Sequence, residues 1–388
     1  MHICFVEFGY PRPSGAVGGA GTYVQIFSRQ LIKMGHDVSV LCGDMENSIT
    51  SFRDGEILVF PMKKSYLGYI PYFMNKIPII KNFSRLFLYL IGGLSIHCTL
   101  RKVDKLKKID LIEYTEGGDF WNTITRKFRY TTHLHGSPYT FKKNSGQIIT
   151  RSDWLHRKAE HYFINRAEKI VSPSQSMVEL VQNEMGKKLS SYVIPYPIDQ
   201  KQNTRKIIYK NKIEKSKVML FFASRNDPVK GGDLFIDALN ELTDKLQSKI
   251  KVEFFGYYPN QDVSNLDFIT INKFVPRNLL MKAYEKTDIC VIPSYFDNSP
   301  NTIYEAMAAG KIVVASSVGG IPEIVGGPEN GFLFNPLDLN DFVDKITKAI
   351  KSVLMANDKM MRQKSRNRIL SLANTDKNTD ERLRLILG

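Results

Sequence analysis

The chain has 388 residues, enough for two or three domains of ordinary size. Apolar residues make up 43% and charged residues 24%, which excludes a disordered chain and allows buried cores. Lys and Arg number 54 against 39 Asp and Glu, and the formal excess of +15 calls for an anionic partner: nucleic acid, a membrane surface or a phosphorylated ligand.

The first residues, Met1-His-Ile-Cys-Phe-Val-Glu-Phe, lack the layout of a signal peptide. The longest apolar run, 86–100, contains Ser95, His97 and Thr99 and is short for a bilayer span. The expectation is a soluble cytoplasmic chain that touches a membrane without crossing it. Cys4, Cys42, Cys98 and Cys290 form no C-x-x-C pair, so they are expected to be reduced core thiols rather than zinc ligands or a redox couple.

In chain order, apolar runs at 3–8, 38–42, 111–114 and 170–173 predict strands, and amphipathic stretches at 22–34, 154–167 and 174–185 predict helices. The polar, basic segment 199–216 breaks this rhythm. A second series follows, with strands predicted at 218–223, 251–255, 268–271, 289–293 and 312–315. The fold class is therefore α/β: two doubly wound domains, 1–199 and 217–373, joined by a linker, 200–216, and facing each other across a ligand cleft. The tail, 374–388, turns amphipathic at its end; it is either a last helix, packing back on the first domain, or a frayed end.

Five motifs carry chemistry. Gly18-Gly19-Ala20-Gly21 precedes the first helix and can present backbone N–H groups to a phosphate, or simply make a tight turn. Thr132-His133-Leu134-His135-Gly136 holds an H-x-H pair with no acid or Cys at the spacing that would complete a metal site. One histidine is expected to face the cleft and the other to pack behind it. Arg225 and Lys230 flank a strand-to-helix loop, where two cations can converge on a diphosphate or stand solvated. Asp297 and Glu305 are eight positions apart, the first in a loop and the second in the first turns of a helix starting near Asn301. N–H groups of 299–302 would point into the cleft. Gly319-Gly320 adds another turn on the same side. Each acid also has a plain structural reading, as a turn residue or as a carboxylate near a helix N-terminus.

In this order the motifs resemble the GT-B fold glycosyltransferases of family four, whose domains are Rossmann-like. The resemblance covers nearly the whole chain and includes Gly35-His-Asp-Val38, Ser172-Pro-Ser174 and Ile194-Pro-Tyr-Pro-Ile-Asp199. It implies an acceptor-binding first domain and a donor-binding second domain. It also implies the following roles. Arg225 and Lys230 hold the donor diphosphate. Asp297 faces the donor sugar, and Glu305, the second acid of an E-x7-E motif, binds the ribose hydroxyls. Ser299, Pro300, Asn301 and Thr302 approach sugar and phosphates, Gly19 lies near the diphosphate, and His135 near the sugar. Phe274 and Val275 belong to the loop that receives the base. His135, Asp297, Arg225 and Lys230 form the implied catalytic set. Asp replaces Glu as first acid, Tyr196 stands where Asn is frequent, and Lys273 where Gly often precedes the base loop.

No D-x-D triad occurs, in keeping with a metal-independent enzyme that needs no cofactor and uses a UDP or GDP sugar as co-substrate. His135 reads as a positioning or charge-stabilising group. On the acceptor side, segment 61–108 carries ten Lys or Arg against one acid, Asp104, interleaved with Tyr66, Tyr69, Tyr72, Phe73, Phe83 and Phe87. This suits a membrane surface presenting a lipid-linked acceptor; a solvated basic face over an ordinary core is the alternative. Single-stranded nucleic acid also uses such residues, but no RNP or OB pattern accompanies them. The expected function is retaining transfer of a hexose from a nucleoside-diphosphate sugar to a glycan or lipid-linked acceptor in surface polysaccharide assembly. A sugar-nucleotide epimerase of the same fold and a non-catalytic nucleotide-sugar-binding subunit are the rivals.

Overall fold

The computed structural model describes residues 1–11, 19–44, 50–63, 70–77, 79–198 and 217–387. Gly18, Tyr66, Tyr69 and the 200–216 linker lie outside the described residues. The chain forms two compact units, Met1–Pro197 with Thr375–Gly388, and Ile198–Asn374.

In the first unit, the described strands are β1 (His2–Val6), β2 (Asp37–Asp44), β3 (Phe52–Asp54), β4 (Ile57–Lys63), β5 (Leu111–Thr115), β6 (Tyr130–His133), β7 (Lys169–Ser172) and β8 (Ser191–Val193). They form one sheet in the order β3-β4-β2-β1-β5-β6-β7-β8. Pairing is parallel except between β3 and β4, a short antiparallel hairpin at the edge. β1 sits between β2 and β5, with Ile3 level with both Val38 and Leu111, and every one of its residues is buried. An uninterrupted apolar run suits such a strand, covered on both faces.

The helix Ser84–Leu106 buries Tyr89, Gly93, Ile96, His97, Leu100 and Val103, one stripe at helical spacing. Ile96, Leu100 and Val103 join the core with Cys4, Val6, Ile112 and Tyr114. The opposite face exposes Leu88 and Leu94, together with Cys98, which is therefore not the core thiol expected of it. With the turn before it, this helix makes a 27-residue stretch, 80–106, long and apolar enough to cross a membrane by length and composition. The run at 86–100 understated its reach, because helical residues on both sides extend it.

The tail is a helix, Thr375–Leu387, that belongs to the first unit. Gln30 donates to Asp376 at 2.7 Å and Asn378 to the Pro195 carbonyl at 3.0 Å. Arg382 drives inward: its Nη2 lies 2.6 Å from Glu113 Oε2 on β5, and both side chains are 2% exposed. Its guanidinium also lies over the rings of Tyr23 and Phe27, at 5.5 and 5.3 Å.

The second unit holds β9 (Val218–Ala223), β10 (Ile250–Phe255), β11 (Ile269–Asn272), β12 (Ile289–Ile292), β13 (Ile312–Ser316) and β14 (Phe332–Phe334). Their order is β11-β10-β9-β12-β13-β14, and all described pairs are parallel. β9 and β12 are neighbours in space but not in sequence, so the strand order reverses there and the loops after these two strands lie side by side. Phe222, Phe235, Phe254 and Phe342 pack the core, with Phe334 stacked on Phe342 at 3.8 Å.

Removing one member of a buried ion pair leaves the other uncompensated and costs roughly 3–5 kcal/mol. Arg382→Met should destabilise the first unit by about that much in urea titration, and Arg382→Met with Glu113→Gln should lose less than the sum of the single changes.

Candidate donor and acceptor sites

Every motif in the second unit falls on a loop at the carboxyl end of a strand. After β9, Asp227 caps a single turn, Pro228–Lys230, accepting from the Val229 N–H. Tyr295 N–H, from the loop after β12, donates to the Val229 carbonyl at 2.8 Å and stitches the two loops together. Two glycines permit this closeness. At Gly231, where φ is +69°, a Cβ would lie 1.9 Å from the Pro293 carbonyl oxygen; at Gly319, where φ is +52°, it would lie 2.0 Å from that of Asp297. Both contacts and both dihedrals bar a side chain. Thus the loops after β9, β12 and β13 are locked into one surface.

On that surface Lys230 Nζ lies 2.6 Å from Asp297 Oδ2. Asp297 is buried, and its carbonyl accepts the Gly320 N–H at 3.2 Å. Arg225, on the same loop as Lys230, is exposed, and its side chain has no ion pair among the described residues. Ser299 and Tyr304 hydroxyls are 2.9 Å apart, and Pro300 precedes the helix Asn301–Ala308, whose side chain supplies no cap. Glu305 lies in that helix, buried, with Oε1 2.6 Å from Arg277 Nη1. Burial pushes its carboxyl above the ordinary range, and Arg277 opposes the shift. Phe274 is exposed and Val275 half-buried, on the loop after β11. Arg277 was visible in sequence only as the end of the base loop; nothing there pointed to its partner, 28 residues on.

In the first unit, the groups again gather where strands end. Gly19 opens the helix Gly19–Lys33, three residues before the predicted start, and Gly21 leaves no room for a side chain against the Gly9 carbonyl. His133 is wholly buried at the end of β6, and His135 stacks on it with ring centroids 4.2 Å apart. Burial, first of all, holds both rings well below the usual imidazole range; Arg382 adds to this at His133, and His133 and Arg382 at His135. His135 is therefore a neutral ring. It can position a hydroxyl, or stabilise developing charge through an N–H hydrogen bond as a neutral imidazole does. Its Nδ1 is hydrogen-bonded to the Tyr196 hydroxyl, and Tyr196 stacks on Tyr23 at 4.9 Å. The Tyr23 hydroxyl donates to Glu113 at 3.2 Å. So Tyr196, a departure from the family pattern, is part of the histidine's support.

Two carboxyls here had no signal in sequence. Glu7, just past β1, accepts the Gly9 N–H at 2.7 Å, and burial together with the Glu113 charge outweighs that bond and raises it to about 7. Glu116, just past β5, accepts the Gly136 N–H at 2.8 Å and is raised by burial to about 8. Buried acids are rare enough that composition could not locate them.

Comparison with known proteins identifies the family. The profile described as Glycosyltransferase Family 4 matches residues 17–202, and that described as Glycosyl transferases group 1 matches 203–368. The chain belongs to the GT-B glycosyltransferases of family four. It is 24% identical over 363 residues to an uncharacterized glycosyltransferase of Methanocaldococcus jannaschii, spanning 87% of this chain and 85% of that one. It is 25% identical over 271 residues to the N,N'-diacetylbacillosaminyl-diphospho-undecaprenol alpha-1,3-N-acetylgalactosaminyltransferase of Campylobacter jejuni, spanning 66% and 69%. The fold matches sucrose-phosphate synthase from Thermosynechococcus elongatus with a TM-score of 0.78 at 17% identity, covering 99% and 98% of the two chains. It also matches Anabaena HepE in complex with UDP, with a TM-score of 0.67 at 18% identity, covering 100% and 99%.

Glu116 supplies a pH test. The folded protein keeps its proton up to about 8, whereas an ordinary carboxyl releases it near 4.5. Between those values the native state binds more protons than the unfolded chain, so stability falls as pH rises. Glu116→Gln should flatten that part of the profile, and the variant should gain on the parent protein from pH 5 to pH 8 in parallel urea titrations.

Proposed function

We propose that the chain is a retaining, metal-independent hexosyltransferase that takes its sugar from a UDP or GDP conjugate. The second unit holds the donor, and the first takes a glycan or lipid-linked acceptor. The observation that carries this reading is the Lys230–Asp297 pair, 2.6 Å apart on one locked surface. Breaking the anomeric C–O bond puts positive charge on the sugar ring and negative charge on the departing diphosphate. A carboxylate beside an ammonium offers one partner to each. Arg225, exposed on the same loop, adds a second cation for the phosphates. Fixed cations of this kind stabilise developing charge without reorganising during the reaction. Retention follows if the departing phosphate oxygen accepts the acceptor's proton while the acceptor oxygen joins the same face. His135, as a neutral ring, then orients a sugar hydroxyl, and no protein nucleophile is required. Glu305 takes the ribose hydroxyls, and Phe274 and Val275 receive the base.

The relatives support the substrate class. HepE has been crystallised with UDP and with UDP-glucose, and the Campylobacter enzyme is named for an undecaprenol-diphosphate acceptor. This suits a place in surface polysaccharide assembly at the membrane. The side chains favour that location too. Tyr72, Phe73, Ile77, Ile79, Ile80 and Phe83 are all exposed within one short stretch, beside exposed Lys76 and Lys81. Apolar side chains interspersed with cations favour the headgroup region of an anionic bilayer.

Calorimetry with UDP, GDP and ADP and their common sugar conjugates should find one tight nucleotide, equally tight in EDTA. Lys230→Ala should lower sugar transfer by at least a hundredfold; near-normal turnover would remove its assigned role. Loss of all binding in EDTA would point instead to a metal-bridged donor. Sedimentation with vesicles should show binding to phosphatidylglycerol–phosphatidylcholine mixtures and far less to pure phosphatidylcholine. Phe73→Ser with Ile79→Ser should weaken it at least tenfold, since each side chain loses up to about 2 kcal/mol of burial.

A further inference from the structure

Glu305 is a carboxylate in an apolar setting. It is 6% exposed, on a helix whose neighbours Ile303, Tyr304, Ala306, Met307 and Ala308 are also buried. An isolated charge there would be costly, and the group would protonate instead. The groups around it are few. From the helix Arg277–Lys286, Arg277 Nη1 reaches Oε1 at 2.6 Å, and the buried Tyr284 hydroxyl stands beside the carboxyl. From β12, the Cys290 thiol feels its charge, and that thiol is itself pushed far up by burial. The helix Lys359–Leu372 packs against the far end, where Arg362 and Arg366 donate to the carbonyls of Gly310 and Ala308. Arg277 thus supplies this carboxylate with a cation at ion-pair distance.

We propose that Arg277 is a positioning residue for nucleotide recognition: its ion pair with Glu305 keeps that carboxylate charged and turned to accept hydrogen bonds from the ribose diol of the donor. This rests on the donor-site reading above and adds the residue that makes Glu305 competent. A carboxylate accepts from two hydroxyls, whereas a protonated carboxyl gives up part of that capacity. Arg277 then acts through Glu305 and not by touching the nucleotide.

The test compares the tighter of UDP and GDP with its 2′-deoxy and 3′-deoxy analogues by calorimetry. The parent protein should prefer the ribonucleotide over each analogue by tenfold or more, with little change between pH 6.5 and 8.5. Arg277→Met should reduce that preference to about twofold at pH 7 and regain it as pH rises and Glu305 ionises. Arg277→Lys should keep most of it. Glu305→Gln should match Arg277→Met, and the double variant should lose no more than either alone. Thermal unfolding of each variant checks that it is folded; if Arg277→Met is not, Arg277→Gln takes its place. Equal losses for ribo- and deoxynucleotides, or losses that add in the double variant, would mean that Arg277 touches the ligand directly and would overturn the proposal. If neither UDP nor GDP binds the parent protein, it is the donor-site reading itself that fails.

Discussion

The first unit is organised around a carboxylate with no access to water. Glu113 stands on β5, beside the central strand, and is satisfied by Arg382, which arrives from the last helix, and by the Tyr23 hydroxyl from the first. A charge so placed is tolerated only with a close counter-charge and further hydrogen bonds. Tyr23, Tyr196, His133 and His135 pack around the same place, and burial, with Arg382 adding to it, keeps both imidazoles neutral. The state of the histidines at the end of β6 is therefore set mainly by their burial, with the Arg382 charge beneath them reinforcing it.

The second unit solves a different problem. Most of its candidate site residues are not buried around one charge but carried on loops, and loops must be fixed to be useful. Fixing comes from backbone meeting backbone. Gly231 sits against Pro293 and Gly319 against Asp297, and Tyr295 is bonded to Val229. Lys230 and Asp297, distant in sequence, become neighbours because the scaffolding beneath them has no slack.

Much of this was legible in the order of residues. Strands buried on both faces appear as unbroken apolar runs, so β1, β5, β9, β12 and β13 were found within a few residues. The motifs of the second unit were legible because their spacing is local: Arg225 to Lys230 is one loop, and Asp297 to Glu305 one loop and just over one helical turn. β3 was missed, since three residues of mixed polarity carry little periodicity, and β4, Ile57–Lys63, was missed although it opens with an apolar run, which Pro61 interrupts. Long-range partners were missed for a deeper reason. Nothing local distinguishes Arg382 from the other basic residues of an amphipathic helix, nor Arg277 from a solvated cation at a helix start. Their roles depend on acids that the fold alone brings near them. The Cys98 thiol was misplaced because an apolar helix has two faces and only one turns inward.

The route of the chain has a consequence for how the protein comes into being. Residues Thr375–Gly388 complete the unit begun by Met1–Pro197, so the second unit is, in topological terms, an insertion within the first. In chain order Glu113 precedes the second unit and Arg382 follows it, so their ion pair can form only after both lengths of chain have been made. The first unit is thus completed by residues that follow the second.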